Sequence, residues 1–354
     1  MIDPERIPEL VRMCSACPKM CRHVCPTFFA WRSDAPTPHG RALLIHQDGK
    51  EIRPIDERGI EVLYQCLECS HCLTWCLPEI DIASIVEEAR VRLVDAGKYP
   101  HVLNELLEAI KEHHNPFGES HSQRNDWIDI QKTEGSKIAY FTGCTAAYRE
   151  KGIVESTTEI LSALGHQVVV SSEEWCCGSP LLRTGFHEAA MEQAQHNVEI
   201  LNSMDVESIV VTCPGCYRVL KQDYAENGFE IEAPVRHLSE VLERQLEDLW
   251  TGQIDGRITY HDPCHLGRHM GVYDAPRQVI QKVSGQEILE MERHGENANC
   301  CGNGAGMRML FPEKAKQIGA RRIQDAKDVG ATVLVTACPF CKDILATQAG
   351  SDLS

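Results

Sequence analysis

KIAYFTGC (Lys137 to Cys144) is a run of strand-forming residues that ends on glycine and cysteine, and RITYHDPC (Arg257 to Cys264) repeats it 120 positions later. SIVVTCPGC (Ser208 to Cys216) is echoed in the same way by TVLVTACPFC (Thr332 to Cys341). Short β-branched and aromatic runs of this kind read as strands. Residues 153–164 and 188–201 in the first copy, and 314–327 in the second, carry apolar residues at helical spacing. Strands alternating with helices predict βα units on a parallel sheet in each copy. Corresponding cysteines stand 120 to 125 positions apart, so the second part of the chain reads as a tandem duplication of an α/β unit.

Ahead of residue 137 the texture differs, with no strand-like run. DIASIVEEARVRLVDAG (Asp81 to Gly97) predicts a helix with Asp81 as N-cap, an apolar stripe of Ile82, Ile85, Val86, Ala89 and Leu93, and a glycine stop. Between the two textures lies HHNPFGESHSQRNDWID, whose Pro116 and Gly118 break structure and place a boundary near residues 115–136.

The 354 residues include eighteen cysteines, all in spaced groups, eight before residue 77 and ten after residue 143. MIDPERIPEL is charged and proline-containing, unlike a signal peptide, and no apolar run nears the roughly 20 residues that span a bilayer. A cytoplasmic protein is expected, or one peripheral at the inner face of the membrane through a partner subunit. In that compartment clustered cysteines point to metal rather than to disulfides. A formal charge of −17 argues against nucleic acid or an anionic membrane and favours a partner with a basic surface.

The first cysteine run is Cys14-x2-Cys17-x3-Cys21-x3-Cys25-Pro26 and the second is Cys66-x2-Cys69-x2-Cys72-x3-Cys76. Three cysteines in one tight loop plus a fourth from elsewhere suit a cubane cluster, whereas zinc sites usually take two ligands from each of two knuckles. The runs match the two-cluster ferredoxin pattern, in which the last cysteine of each run serves the other cluster. That predicts Cys14, Cys17, Cys21 and Cys76 around one 4Fe-4S cubane and Cys66, Cys69, Cys72 and Cys25 around a second. The extra residue between Cys17 and Cys21 departs from the strict pattern.

Each α/β copy carries five cysteines: Cys144, Cys176-Cys177-Gly178 and Cys213-x2-Cys216, then Cys264, Cys300-Cys301-Gly302 and Cys338-x2-Cys341. The lone cysteine and the CxxC of each set follow predicted strands, at the carboxyl edge where open α/β folds place ligands. Gly178 and Gly302 remove a side chain where backbone approaches something closely. GNGAG (Gly302 to Gly306) lacks the lysine and hydroxyl of a P-loop and reads as a backbone wrap, and no Rossmann fingerprint predicts bound NAD or flavin.

These motifs resemble the Cys-Cys-Gly domain family, which includes the catalytic subunit of heterodisulfide reductase and the iron-sulfur subunits of glycolate, lactate and glycerol-3-phosphate oxidations. The layout is similar to the D-type heterodisulfide reductase subunit, which corresponds to the C-type and B-type subunits joined. The resemblance implies an α+β multidomain fold: an all-α ferredoxin-like two-cluster domain at 1–118, then tandem α/β domains with parallel sheets at 136–252 and 256–354. It implies two noncubane 4Fe-4S clusters on the ten cysteines of the repeated sets, with a small-molecule disulfide such as CoM-S-S-CoB cleaved to thiols between them. A flavoprotein, a hydrogenase or a membrane cytochrome subunit is the implied electron donor. Both sets are complete, which favours this disulfide-reducing branch. The alternative is a relay protein carrying electrons from a flavin dehydrogenase, or an electron-transfer flavoprotein, to quinone. Of His261, His265 and His269 around Cys264, His265 is singled out as a catalytic candidate. Arg183, Arg218, Arg268, Arg308 and Lys342 are candidates to neutralise clusters or grip an anionic substrate.

Overall fold

The computed structural model describes residues 3–128, 135–246 and 254–354. The expected domain limits at residues 1 and 252, and 129–134 of the expected linker, lie outside the described residues.

The N-terminal part is helical, and no strand occurs among the described residues before Ser136. The helix Ile82–Asp95 forms as its sequence predicts: the Asp81 carboxylate accepts from the backbone N–H of Ala83 and Ser84 at 3.0 and 3.2 Å. It stops just before Gly97, whose φ is +67°. Its stripe of Ile82, Ile85, Val86 and Leu93 is buried, at about 1.5–3 kcal/mol for each large aliphatic side chain removed from water. That stripe does not pack only on its own helices. It shares one core with Leu181, Leu182 and Phe186 of the following part, so the two parts are held by a common apolar interior.

The second part contains two parallel sheets. Strands β1 (Ser136–Phe141), β2 (His166–Val169), β3 (Ser208–Val211) and β4 (Val235–His237) lie in the order β2-β1-β3-β4. Strands β5 (Ile258–His261) and β6 (Val333–Thr336) pair in parallel, His261 opposite Thr336. Ile138, Ala139, Tyr140 and Phe141 are all buried, as expected of a strand covered on both faces by helices. The pair β1–β3 corresponds to β5–β6. Among the described residues β2 and β4 have no counterpart in the second copy. Irregular chain closes those edges instead: Leu289 N–H donates to the Ile258 carbonyl at 2.8 Å, and Leu334 N–H donates to the Ser354 carbonyl at 2.9 Å. The fold class is therefore mixed helix and parallel sheet, as the sequence predicts.

Candidate metal-cluster sites

β1 ends at Phe141, and three residues later Cys144 opens a short helix, Cys144–Tyr148. β3 delivers Cys213 as N-cap of the helix Pro214–Arg218, with Cys216 on its first turn. β6 does the same with Cys338 and Cys341: Cys338 Sγ accepts from the Cys341 N–H at 3.3 Å. Helix N-termini favour negative charge, so these positions suit thiolates. Cys176 and Cys177 sit on an irregular segment fixed by its backbone. Cys176 N–H donates to His114 O at 2.9 Å, while Asn197 Nδ2 and the Tyr224 hydroxyl donate to the carbonyls of Cys176 and Cys177.

The ten cysteines of the repeated sets are brought into one line of sulfur contacts. In the first set Cys144 meets Cys176, Cys176 meets Cys177, Cys177 meets Cys216, and Cys216 meets Cys213. The second set repeats the order as Cys264, Cys300, Cys301, Cys341 and Cys338. Cys213 touches Cys338, which joins the two sets. Cys69 of the N-terminal part touches Cys300. All eighteen thiols are free.

The N-terminal cysteines gather in one region. Cys14 has Cys21, Cys76 and Cys17 as sulfur neighbours, and burial followed by their repulsion pushes its thiol up to about 12. Cys72 is raised by burial and by Cys21, Cys69, Cys66 and Cys25. Cys76 thus stands beside the first run, while Cys25 neighbours both Cys21 and Cys72.

Sulfur crowding also splits the thiols into high and low. Contact with Cys300 pulls Cys69 down to about 6, and contact with Cys176 does the same for Cys177, whereas Cys144 and Cys341 are raised. A buried row of this kind cannot ionise throughout unless cations enter it. Its donors are soft thiolates at every position, the set that iron-sulfur clusters take. No other ligand type is required.

The charged candidates are largely occupied. Arg183 pairs with Glu87 at 2.5 Å and with Asp223, and Arg218 reaches Asp223 at 3.4 Å. Arg268 donates to the carbonyls of Cys69, Glu296 and Ala298. Arg308 pairs with Asp343 and Lys342 with Glu150. His265 stands with its ring centroid 4.7 Å from that of His269. Among the described residues it makes no hydrogen bond to a cysteine; burial, then His269 and Arg218, hold it well below the usual imidazole range. His261, by contrast, stands beside Cys301 and Cys341.

Several residues at the sites carry no mark in the sequence. Arg124 is fully buried, donates to Cys144 Sγ at 3.5 Å and pairs with Glu174, whose carboxylate also accepts from the N–H of Thr142 and Gly143. Arg90, equally buried, donates to Glu68 and to the carbonyls of Leu63, Cys66 and Arg183. Glu174 lies two residues before Cys176, and that closeness is the one signal the sequence offers for it.

Sulfur lines raised on parallel strand ends define an iron-sulfur oxidoreductase. The model of the cysteine-rich domain (CCG) matches twice, over residues 138–221 and 258–346. The D subunit of dihydromethanophenazine:CoB-CoM heterodisulfide reductase from Methanosarcina barkeri is 36% identical over 305 residues, 83% of this chain and 75% of that protein. The B subunit of fumarate reductase (CoM/CoB) from Methanothermobacter marburgensis is 32% identical, over 80% of this chain and 56% of that protein. EtfAB:quinone oxidoreductase of Syntrophomonas wolfei is 29% identical, over 84% of this chain and 46% of that protein. The chain belongs to the CCG family of iron-sulfur oxidoreductases and has the layout of the heterodisulfide reductase D-type subunit. Among the described residues no helix is long and apolar enough to cross a membrane.

Proposed function

We propose that this chain is the disulfide-reducing subunit of a larger complex, taking electrons in through its N-terminal cysteines and delivering them to a small-molecule disulfide at the paired five-cysteine sets. The observation that carries the reading is the meeting of Cys213 and Cys338, which joins two complete donor sets end to end. The arrangement is three units: a helical two-cubane unit at 1–118 and two Cys-Cys-Gly units at 136–252 and 256–354. Bound iron-sulfur clusters, two cubane and two noncubane, supply one-electron redox chemistry and iron for sulfur to bind.

The chain's own residues supply the rest. Cys17, Cys21 and Cys76 are partly exposed, and Met20, Trp75 and Leu77 next to them in the chain are exposed as an apolar collar for an electron-donating subunit. A flavoprotein, a hydrogenase or a membrane cytochrome subunit fits that role. Cys66, Cys69, Cys72 and Cys25 come next, and Cys69 hands on through its contact with Cys300. Splitting one disulfide takes two electrons and two protons and gives two thiols, so two sulfurs are to be held as the bond opens. Two donor sets in contact meet that need. The substrate class is a mixed or symmetric low-molecular-weight disulfide, of which CoM-S-S-CoB is the example suggested by the Methanosarcina relative.

Cys176→Ala and Cys300→Ala are the test, in anaerobically purified complex. Each is expected to abolish disulfide reduction while the N-terminal clusters remain reducible. The intact chain should hold roughly 16 iron atoms, four for each of four clusters. Turnover that survives either substitution, or roughly 12 irons in the intact chain, one cluster fewer, would favour an electron-relay role instead.

A further inference from the structure

We propose that His261 donates a hydrogen bond to the thiolates of the second five-cysteine set, and that this imidazole makes the cluster held there easier to reduce. The assignment rests on the cluster reading above.

His261 is the last residue of β5 and is 1% exposed. Arg322, on the helix Pro312–Asp328, is fully buried and points its Nε at His261 Nδ1 at 3.0 Å. An arginine Nε–H can only donate, so Nδ1 offers its lone pair and the neutral ring carries its proton on Nε2. Arg322 is itself held in place by the carbonyls of Arg293, at 2.7 Å, and Tyr260. Nε2 is buried with no hydrogen-bond partner. A ring nitrogen of His261 and the sulfurs of Cys301 and Cys341 lie within 4.8 Å of one another, so two sulfurs stand beside the unpartnered donor. The tautomer decides the role. A protonated Nε2 cannot ligate iron, but it can donate to a sulfur that does.

An N–H···S bond draws negative charge from the thiolate and so favours the reduced, more negative state of a cluster. Phe141 occupies the corresponding position at the end of β1 and offers only hydrocarbon. The first set draws its N–H···S bond from a different residue, Arg124, which donates to the lone cysteine Cys144 and not to the Cys-Cys-Gly pair. The set that His261 serves is also the one whose Cys300 lies beside Cys69 of the N-terminal part.

The experiment is an EPR-monitored redox titration of the full chain, with iron content measured alongside, for His261→Phe, His261→Gln and Arg322→Met. In His261→Phe one cluster should become harder to reduce by about tenfold, a fall of about 59 mV for a one-electron couple, with the others unmoved. Gln keeps an N–H and should restore much of the shift. Arg322→Met releases the tautomer and should give an intermediate value. An iron-replete His261→Phe chain with every midpoint unchanged, or a Gln variant shifted as far as Phe, overturns the donor role alone. Iron lost from both His261 variants would mark the ring as a ligand and also overturns it. An unmodified chain holding iron only in its N-terminal part would overturn the cluster reading and this assignment with it.

Discussion

The two α/β copies keep the same cysteines while differing in almost everything around them. The first stands on four strands and secures its lone cysteine with the buried Arg124–Glu174 pair. The second stands on two strands among the described residues, has Ala298 where the first has Glu174, and closes its sheet edges with one or two backbone hydrogen bonds each. What survives in both is a pair of adjacent parallel strands, a lone cysteine after one, a CxxC after the other and a Cys-Cys-Gly segment between. Two strand ends and one glycine turn are therefore sufficient to shape the sulfur line. The outer strands serve stability.

That contrast is most exposed at Arg124. Arg124→Met strands the Glu174 carboxylate in the interior, and breaking a buried pair in this way costs about 3–5 kcal/mol. At the next position in the second copy, Asn299 donates to Asp325 at 2.6 Å, so Asn299→Ala should lose only about 1 kcal/mol. Urea unfolding of the two variants measures both. Equal losses would mean that the copies are anchored alike after all.

The glycines after the paired cysteines offer a second comparison. Both have positive φ, +83° at Gly178 and +93° at Gly302. A Cβ at Gly302 would stand 2.4 Å from the Ala315 carbonyl oxygen, whereas at Gly178 its nearest neighbour is 3.3 Å away. Gly178→Ala should carry mainly left-handed strain, about 1–2 kcal/mol. Gly302→Ala adds overpacking of about 1–3 kcal/mol to the same strain. Thermal unfolding should rank them in that order, and the reverse order would show that the second turn yields more easily than its contacts imply.

The smallest effect is expected at the substitute sheet edge. Ser354 N–H donates to the Thr332 carbonyl at 3.0 Å, and Ser354→Pro removes that donor. One net backbone hydrogen bond, about 0.5–1.5 kcal/mol, should be lost. A neutral result in chemical denaturation would show that β6 tolerates an open edge.

Much of this is legible in the sequence because it is written in short, local signals. Strand runs ending on cysteine, the Asp81 cap and the Gly97 stop each fix an element within a few residues. The approach of Cys76 to Cys14 of the first run is likewise readable from spacing. What stays hidden depends on partners far along the chain. Arg90 meets the Arg183 carbonyl 93 positions away, and Arg322 meets His261 at a separation of 61. An arginine in an amphipathic helix reads as a solvated surface residue until its partner is known. His261 stands out in the sequence for its closeness to Cys264, yet the sulfurs it joins are those of Cys301 and Cys341. The trimmed second sheet leaves no trace either, since a missing strand has no motif.

Arg90 has a consequence for how such a protein can be encoded. One guanidinium binds the Leu63 and Cys66 carbonyls on one side and the Arg183 carbonyl on the other, and the Tyr64 hydroxyl donates to Thr184 beside it. None of these bonds depends on the peptide between residues 115 and 136. A chain cut there would present the same faces, so its halves should find each other as separate polypeptides. The joint between the helical part and the sulfur-bearing sheets is non-covalent in substance, and a gene fused or split at that point specifies the same assembly.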